Sequence, residues 1–244
     1  MPRRARGEAV KRERPVRARA ADSKVSRAET VYRGLRRAII EQALSPGTKL
    51  PEDLVGTRFG VSRTVVRAAL ARLAAESLVE LHLNRGATVA HPSLDEAHDV
   101  FDIRRSLERL VVERLAGRLS RADLARLKQH VAAEEQGRGG AESIRLAGEF
   151  HMLLAELAGS STLSRYVGEL ISRSSLILAI YGRPHSPDCA VTEHREIIDA
   201  LVRGDTAVVA RLMDHHLDAI IGRALIAPPP RRDISDILSD YAAE

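Results

Sequence analysis

Residues 59–70 read Phe59-Gly60-Val61-Ser62-Arg63-Thr64-Val65-Val66-Arg67-Ala68-Ala69-Leu70. Phe59-Gly60 closes one helix, since glycine takes the left-handed conformation that ends helices at little cost. Ser62 is a natural N-cap for the next. Val65, Val66, Ala69, Leu70 and Leu73 recur on one face, so a helix is predicted from Ser62 to about Glu76. Upstream, Pro51 suits a first helical turn, and Glu52 and Asp53 favour the positive end of the dipole. Still earlier, Val31, Leu35, Ala38, Ile39 and Ala43 form a helical stripe that Ser45-Pro46-Gly47 ends. Beyond Ser77 the period falls to near two through Leu78–Leu83, the turn Asn84-Arg85-Gly86 and Ala87–Ala90, a hairpin. Three helices and a hairpin make a winged helix-turn-helix over residues 28–92.

That arrangement presents the start of the third helix to a major groove. Ser62, Arg63, Thr64 and Arg67 stand there. Arginine can bond guanine in a bidentate fashion, while hydroxyls and backbone N–H groups hold phosphates. At the hairpin tip Arg85 adjoins Gly86, which permits close backbone approach. Isolated arginines are more often plain solvated charges. Here the capped helix start, the glycine turn and the wing all agree on a DNA-binding surface.

The 244-residue chain is long enough for two domains, and 44% hydrophobic residues can fill a sizeable core. Its seven aromatic residues and absent tryptophan leave Leu, Ile, Val and Ala to build that core, which favours helices. So few rings also argue against stacking platforms for single-stranded nucleic acid. Cys189 has no partner for an intramolecular disulfide and fits a reducing cytoplasm. No apolar run approaches the roughly 20 residues of a membrane helix, and no secretory signal is readable. The net charge of +5 is uneven: residues 1–30 hold ten basic and four acidic residues. Residues 1–27 therefore read as a basic, disordered tail. It either tracks DNA phosphates without reading sequence or is simply a solvated terminus.

From Leu94 onward helical periods cover 94–119, 121–136, 141–158, 161–181, 189–203 and 205–226. Short glycine-bearing breaks separate them, so residues 93–227 are expected to form an antiparallel all-α bundle, and the fold class is mainly α. A C-terminal tail, 228–244, opens with three prolines and then carries Ile234, Ile237, Leu238 and Tyr241 as a weak stripe. Neighbours three and four residues away place His151, His194 and His216 on apolar faces of three different helices. His215 lies toward Arg211 and Asp218 and is expected to be exposed; His98, His130 and His185 lie in polar or loop surroundings. A single inward histidine is usually a satisfied core residue, but three imidazoles are a common divalent-metal set. Arg104 also faces inward, either paired with Glu108 four residues on or poised as a fork for a ligand carboxylate.

Residues 31–90 resemble the DNA-binding domain of GntR-family transcription regulators. The resemblance rests on Leu44-Ser45-Pro46-Gly47-Thr48-Lys49-Leu50, Phe59–Thr64, Val66-Arg67-Ala68-Ala69-Leu70 and Asn84-Arg85-Gly86. It implies operator contacts at Ser62, Arg63, Thr64 and Arg67, with the wing at Arg85 and Gly86 in a minor groove. Asp53 departs from it, because many relatives carry an arginine there. Val65 stands where proline is usual and Ser77 where glycine is usual, both structurally tolerable. Residues 94–224 resemble the FCD effector domain of the FadR-type branch, through Ile103–Glu108, Glu149-Phe150-His151, Glu193–Leu201, Gly204-Asp205 and His216-Leu217. That resemblance implies a divalent metal (Zn, Mn or Ni) on His151, His194 and His216. The aspartate usual four residues before the first histidine is Ala147 here.

The sequence thus reads as a cytoplasmic, homodimeric regulator of double-stranded operator DNA, most simply a repressor, and not an enzyme. Its bundle takes a small carboxylate effector through Arg104, with the metal. Two alternatives are a metal-dependent hydrolase at the three-histidine cavity and an architectural DNA binder with an inert bundle. The first needs a general base, and no inward acid besides Glu108 is readable.

Overall fold

Helix α1 (Arg27–Ile40) opens the computed structural model, which describes residues 27–83, 86–137, 141–182, 188–222, 233–234 and 238–240. It stops short of Ala43, the last residue of the apolar stripe. Gln42 turns back with φ 59, and the Leu44 N–H then reaches the Ala38 carbonyl at 3.0 Å. Leu44 is buried by that reversal rather than by a longer helix. Strand β1 (Lys49–Leu50) follows, then α2 (Glu52–Phe59), α3 (Arg63–Ala75), β2 (Val79–His82) and β3 (Gly86–Val89). Pro51 precedes α2 as its N-cap, and Ser62 precedes α3 with an extended backbone.

The sheet is antiparallel, in the order β1-β3-β2. Sequence periodicity indicates only the hairpin β2–β3; β1 is an addition. Two residues are too short to show a period of two. Lys49 and Leu50 pair with Thr88 and Ala87, and Val79 through His82 pair with Val89 through Gly86. Gly86 has φ 82, a conformation other residues adopt only with strain, so the wing turns there.

The second half comprises α4 (Leu94–Leu115), α5 (Arg121–Gln136), α6 (Ala141–Leu157), α7 (Ser161–Tyr181), α8 (Asp188–Arg203) and α9 (Thr206–Gly222). Ser93 caps α4 by accepting the Glu96 N–H at 3.1 Å, and Ser120 and Asp123 form a reciprocal capping box on α5. The expected 94–119 helix ends four residues early. Gly117 takes φ 68 and donates its N–H to the Leu201 carbonyl at 2.8 Å. A β-carbon on Gly117 would stand 3.4 Å from the Gly204 α-carbon, so this corner needs two glycines back to back. The tails at 1–26 and 228–232, and residues 223–226 of the last expected helix, lie outside the described residues.

The two halves share packing. Leu176 of α7 and Leu238 of the C-terminal tail are fully buried in the winged-helix core, beside Val31, Leu35, Leu50 and Leu73. Polar contacts reinforce the junction. Arg36 bonds Glu76 at 3.1 Å and the Ser172 hydroxyl at 2.9 Å. Arg173 bonds Glu96 at 2.5 Å and donates to the Ser77 carbonyl at 2.6 Å. Ser77 sits at φ 56, the strained region in which glycine would be unstrained. Arg145 of α6 bonds Glu41, just past α1, at 3.1 Å.

Candidate functional site

His151 on α6, His194 on α8 and His216 on α9 are each at most 2% exposed. Their helices bury the apolar neighbours Leu154 and Ala155, Ile197 and Ile198, and Met213 and Leu217, which turns the imidazoles inward. The Nε2 atoms meet: His216 Nε2 stands 3.1 Å from His151 Nε2 and 3.3 Å from His194 Nε2. Phe150 stacks on His194 with ring centroids 3.9 Å apart, closing one side.

Each outer nitrogen is held by a carboxylate. His151 Nδ1 bonds Glu108, His194 Nδ1 bonds Glu134 at 2.8 Å, and His216 Nδ1 bonds Glu193 at 2.5 Å. Glu108 also takes the Nε of Arg104, itself 3% exposed. Burial raises Glu108, but the Arg104 guanidinium and His151 outweigh it and hold the carboxyl at about 2. An ionised Glu108 makes His151 Nδ1 the donor and leaves its Nε2 as a bare lone pair. Burial pushes His151 down to about 3, against the pull of Glu108, and burial followed by His216 holds His194 well below the usual range. Burial raises Glu134 to about 7, against His130 and His216.

With each Nδ1 turned outward to a carboxylate, the three rings aim their Nε2 atoms, where a singly protonated ring donating from Nδ1 carries its lone pair, at one centre. Such lone pairs repel unless a positive charge lies between them. Two nitrogens bonded at about 2.0–2.1 Å to one tetrahedral or octahedral cation stand roughly 2.8–3.4 Å apart. The spacing and the donor set therefore fit a divalent cation, with carboxylates fixing each ring's orientation. Ala147 brings no donor. Among the described residues the converging group is the three histidines alone, so a fourth position remains for water or a ligand oxygen.

The sequence reading had no inward acid besides Glu108; the structure corrects this with Glu134 and Glu193. Glu134 has one strong apolar neighbour in its own helix, Val131, and its burial comes from α8, which periodicity within α5 does not register. His130, expected in polar surroundings, is half-buried: it bonds the Leu146 carbonyl at 2.9 Å and lies against Phe150. His215 and His98 are exposed. His185 lies outside the described residues. Two clefts of about 450 and 430 Å³ flank α6, and neither is lined by the three histidines.

On the other domain, Ser62, Arg63, Thr64 and Arg67 are all exposed along the first turns of α3. Ser62 is the N-cap in backbone terms only; its hydroxyl makes no cap bond. Both arginines are engaged by α2. Arg63 bonds Asp53 through Nε and, at 2.7 Å, through Nη2. Arg67 bonds Glu52 through Nε alone, at 2.8 and 2.9 Å. Sequence reading missed these pairings, although the acids at 52 and 53 were its only available signal. Gly86 begins β3, while Arg85 lies outside the described residues.

Residues 27–89 match the profile of bacterial regulatory proteins, gntR family, and residues 99–219 match the FCD domain. The chain belongs to the GntR family. This GntR protein is a DNA-binding transcription regulator, and its relatives include repressors. It is 28% identical to the HTH-type transcriptional repressor RspR of Escherichia coli K12, over 79% of this chain and 86% of the relative. It is 30% identical to an HTH-type transcriptional regulator in an unstable DNA locus of Streptomyces ambofaciens, over 78% and 81%. A GntR regulator structure from Rhodococcus sp. RHA1 superposes with a TM-score of 0.64 at 28% identity, covering 80% of this chain and 98% of that one. McbR/YncC of E. coli shares the fold, with a TM-score of 0.69 at 22% identity over 81% and 96%. No helix among the described residues is long and apolar enough to cross a membrane.

Proposed function

We propose that this regulator is a cytoplasmic homodimeric repressor whose helical domain binds a divalent metal and a small carboxylate effector. One observation carries the reading: three buried imidazoles converge by Nε2 while a carboxylate, from Glu108, Glu134 or Glu193, holds each Nδ1. His151, His194 and His216 would hold the metal. When bound, the cation supplies a Lewis-acidic anchor for a carboxylate oxygen. Arg104 spends its Nε on Glu108 and keeps its other N–H donors for the acid, so recognition is charge-assisted and planar. Each carboxylate around the centre bonds an imidazole Nδ1, the role of a group that orients a ligand ring rather than of a general base, which favours binding over hydrolysis.

On the DNA side, Ser62, Arg63, Thr64 and Arg67 would enter a major groove, and the wing at Arg85 and Gly86 a minor groove. The basic residues 1–27 would add sequence-independent attraction to phosphates. Helix α6 links the two functions, because it carries both His151 and Arg145, and Arg145 holds Glu41 beside α1. Helix α1 packs on α3. Any shift of α6 on effector binding is thereby passed to the recognition helix, biasing one DNA-binding geometry over another.

A thermal-shift screen of small carboxylates, each with and without Zn²⁺, Mn²⁺ or Ni²⁺, tests the proposal. The expected result is an acid that raises Tm only in the presence of metal and changes operator affinity in the same protein. Shifts that are equal with metal and with chelator would contradict it.

A further inference from the structure

The arginines on α3 are held in two different ways. Asp53 engages Arg63 side-on, through Nε and one Nη2 hydrogen. A guanidinium has five coplanar N–H donors. Side-on engagement leaves the end-on edge, with one hydrogen of Nη2 and both of Nη1. That edge is the one that bonds guanine O6 and N7 together. Glu52 accepts only from the Nε of Arg67, so both Arg67 terminal nitrogens remain available to phosphates. Arg63 and Asp53 side chains are 66% and 68% exposed, and an ion pair so open to water adds little to folding stability. Fold stability does not account for a bidentate pair at the tip of a recognition helix.

We infer that Asp53 is a specificity-determining residue, which holds Arg63 as a flat fork aimed at one guanine of the operator. The inference rests on reading α3 as the recognition helix. An arginine immobilised before it meets DNA loses less side-chain freedom on binding than a loose one, and it presents its donors in one plane. The Asp53 carboxylate has a second effect. It stands at the groove mouth and repels phosphates, so DNA that offers no guanine to Arg63 meets a net unfavourable charge. Both effects widen the gap between specific and non-specific binding, and specificity is that gap.

The test is selection of binding sites from a random duplex library by the full-length protein. It is followed by affinities for the best site, its single-base variants and a scrambled duplex, for the native chain, Asp53→Ala and Arg63→Ala. At the base position that Arg63→Ala flattens, Asp53→Ala is expected to cut discrimination roughly three- to tenfold, from the lost pre-ordering. It is also expected to bind the scrambled duplex more tightly than the native chain does. If Asp53→Ala strengthens binding to all duplexes equally and leaves base preference intact, Asp53 merely competes for Arg63 and the inference is overturned. A change at a different base position overturns it too, since Asp53 would then read a base itself. If Arg63→Ala leaves base preference unaltered, the recognition-helix reading fails, independently of Asp53.

Discussion

Arg104 and His151 are joined through a single carboxylate: one oxygen of Glu108 takes the arginine Nε and the other takes the histidine Nδ1. All three groups are buried. Glu108→Gln leaves one acceptor oxygen where two are needed and strands a buried guanidinium. Breaking a buried pair in this way costs about 3–5 kcal/mol. Losing the carboxylate behind an imidazole ligand lowers metal affinity about 10- to 100-fold. Urea unfolding and metal titration of the variant are the measurements; native values for both would show that Glu108 holds neither partner.

The buried imidazoles set a pH dependence in metal-free protein. His151 at about 3 and His194, also depressed, bind fewer protons folded than unfolded. Their contribution is complete above the unfolded value near 6.5 and is lost as pH falls toward 3. Glu108, lowered to about 2, adds a further loss as pH falls from about 4.5. Glu134, raised to about 7, acts in the opposite sense between 4.5 and 7. Two imidazoles outweigh one carboxyl, so the urea midpoint should fall between pH 6.5 and pH 4. Metal affinity should fall over the same range, because protons compete for the same nitrogens. A midpoint that rises on acidification would mean that the histidines are not buried neutral.

Glu41 is buried between Arg37 of α1 at 2.9 Å and Arg145 of α6 at 3.1 Å. Arg145→Ala should therefore uncouple the domains while sparing each one's own ligand. Operator affinity measured with and without effector should differ by a coupling of about 1–3 kcal/mol in the native chain and by much less in the variant. Undiminished coupling would move the route of communication away from α6.

Leu238 is fully buried in the winged-helix core although it lies near the far end of the chain. Leu238→Ala should cost about 2–5 kcal/mol, as core leucine truncations do. A change under about 0.5 kcal/mol in chemical unfolding would mean that the tail is not docked there in solution.

Much of this was legible because the helices are amphipathic. The stripe Val65, Val66, Ala69, Leu70 and Leu73 identifies α3, and the neighbours of His215 and His216 tell the exposed imidazole from the buried one. The inward turn of Arg104 follows from the same periodicity. What stayed hidden depends on contacts between elements. Glu134 follows an ordinary helical surface pattern until α8 covers it. Strand β1 exists only because Thr88 and Ala87 lie beside it, and Asp53 meets Arg63 only once α2 has turned back along α3. Periodicity reports which side of a helix faces in, not what stands opposite.

Metal content after purification, compared between His194→Ala and His215→Ala, bears most directly on the proposed effector domain. Both are histidines, on the consecutive helices α8 and α9, yet His194 is fully buried at the cluster while His215 is exposed. The expected result is stoichiometric Zn, Mn or Ni in the native chain and in His215→Ala, with loss in His194→Ala. Retention of metal in both variants, or loss in His215→Ala alone, would contradict a centre built on His151, His194 and His216.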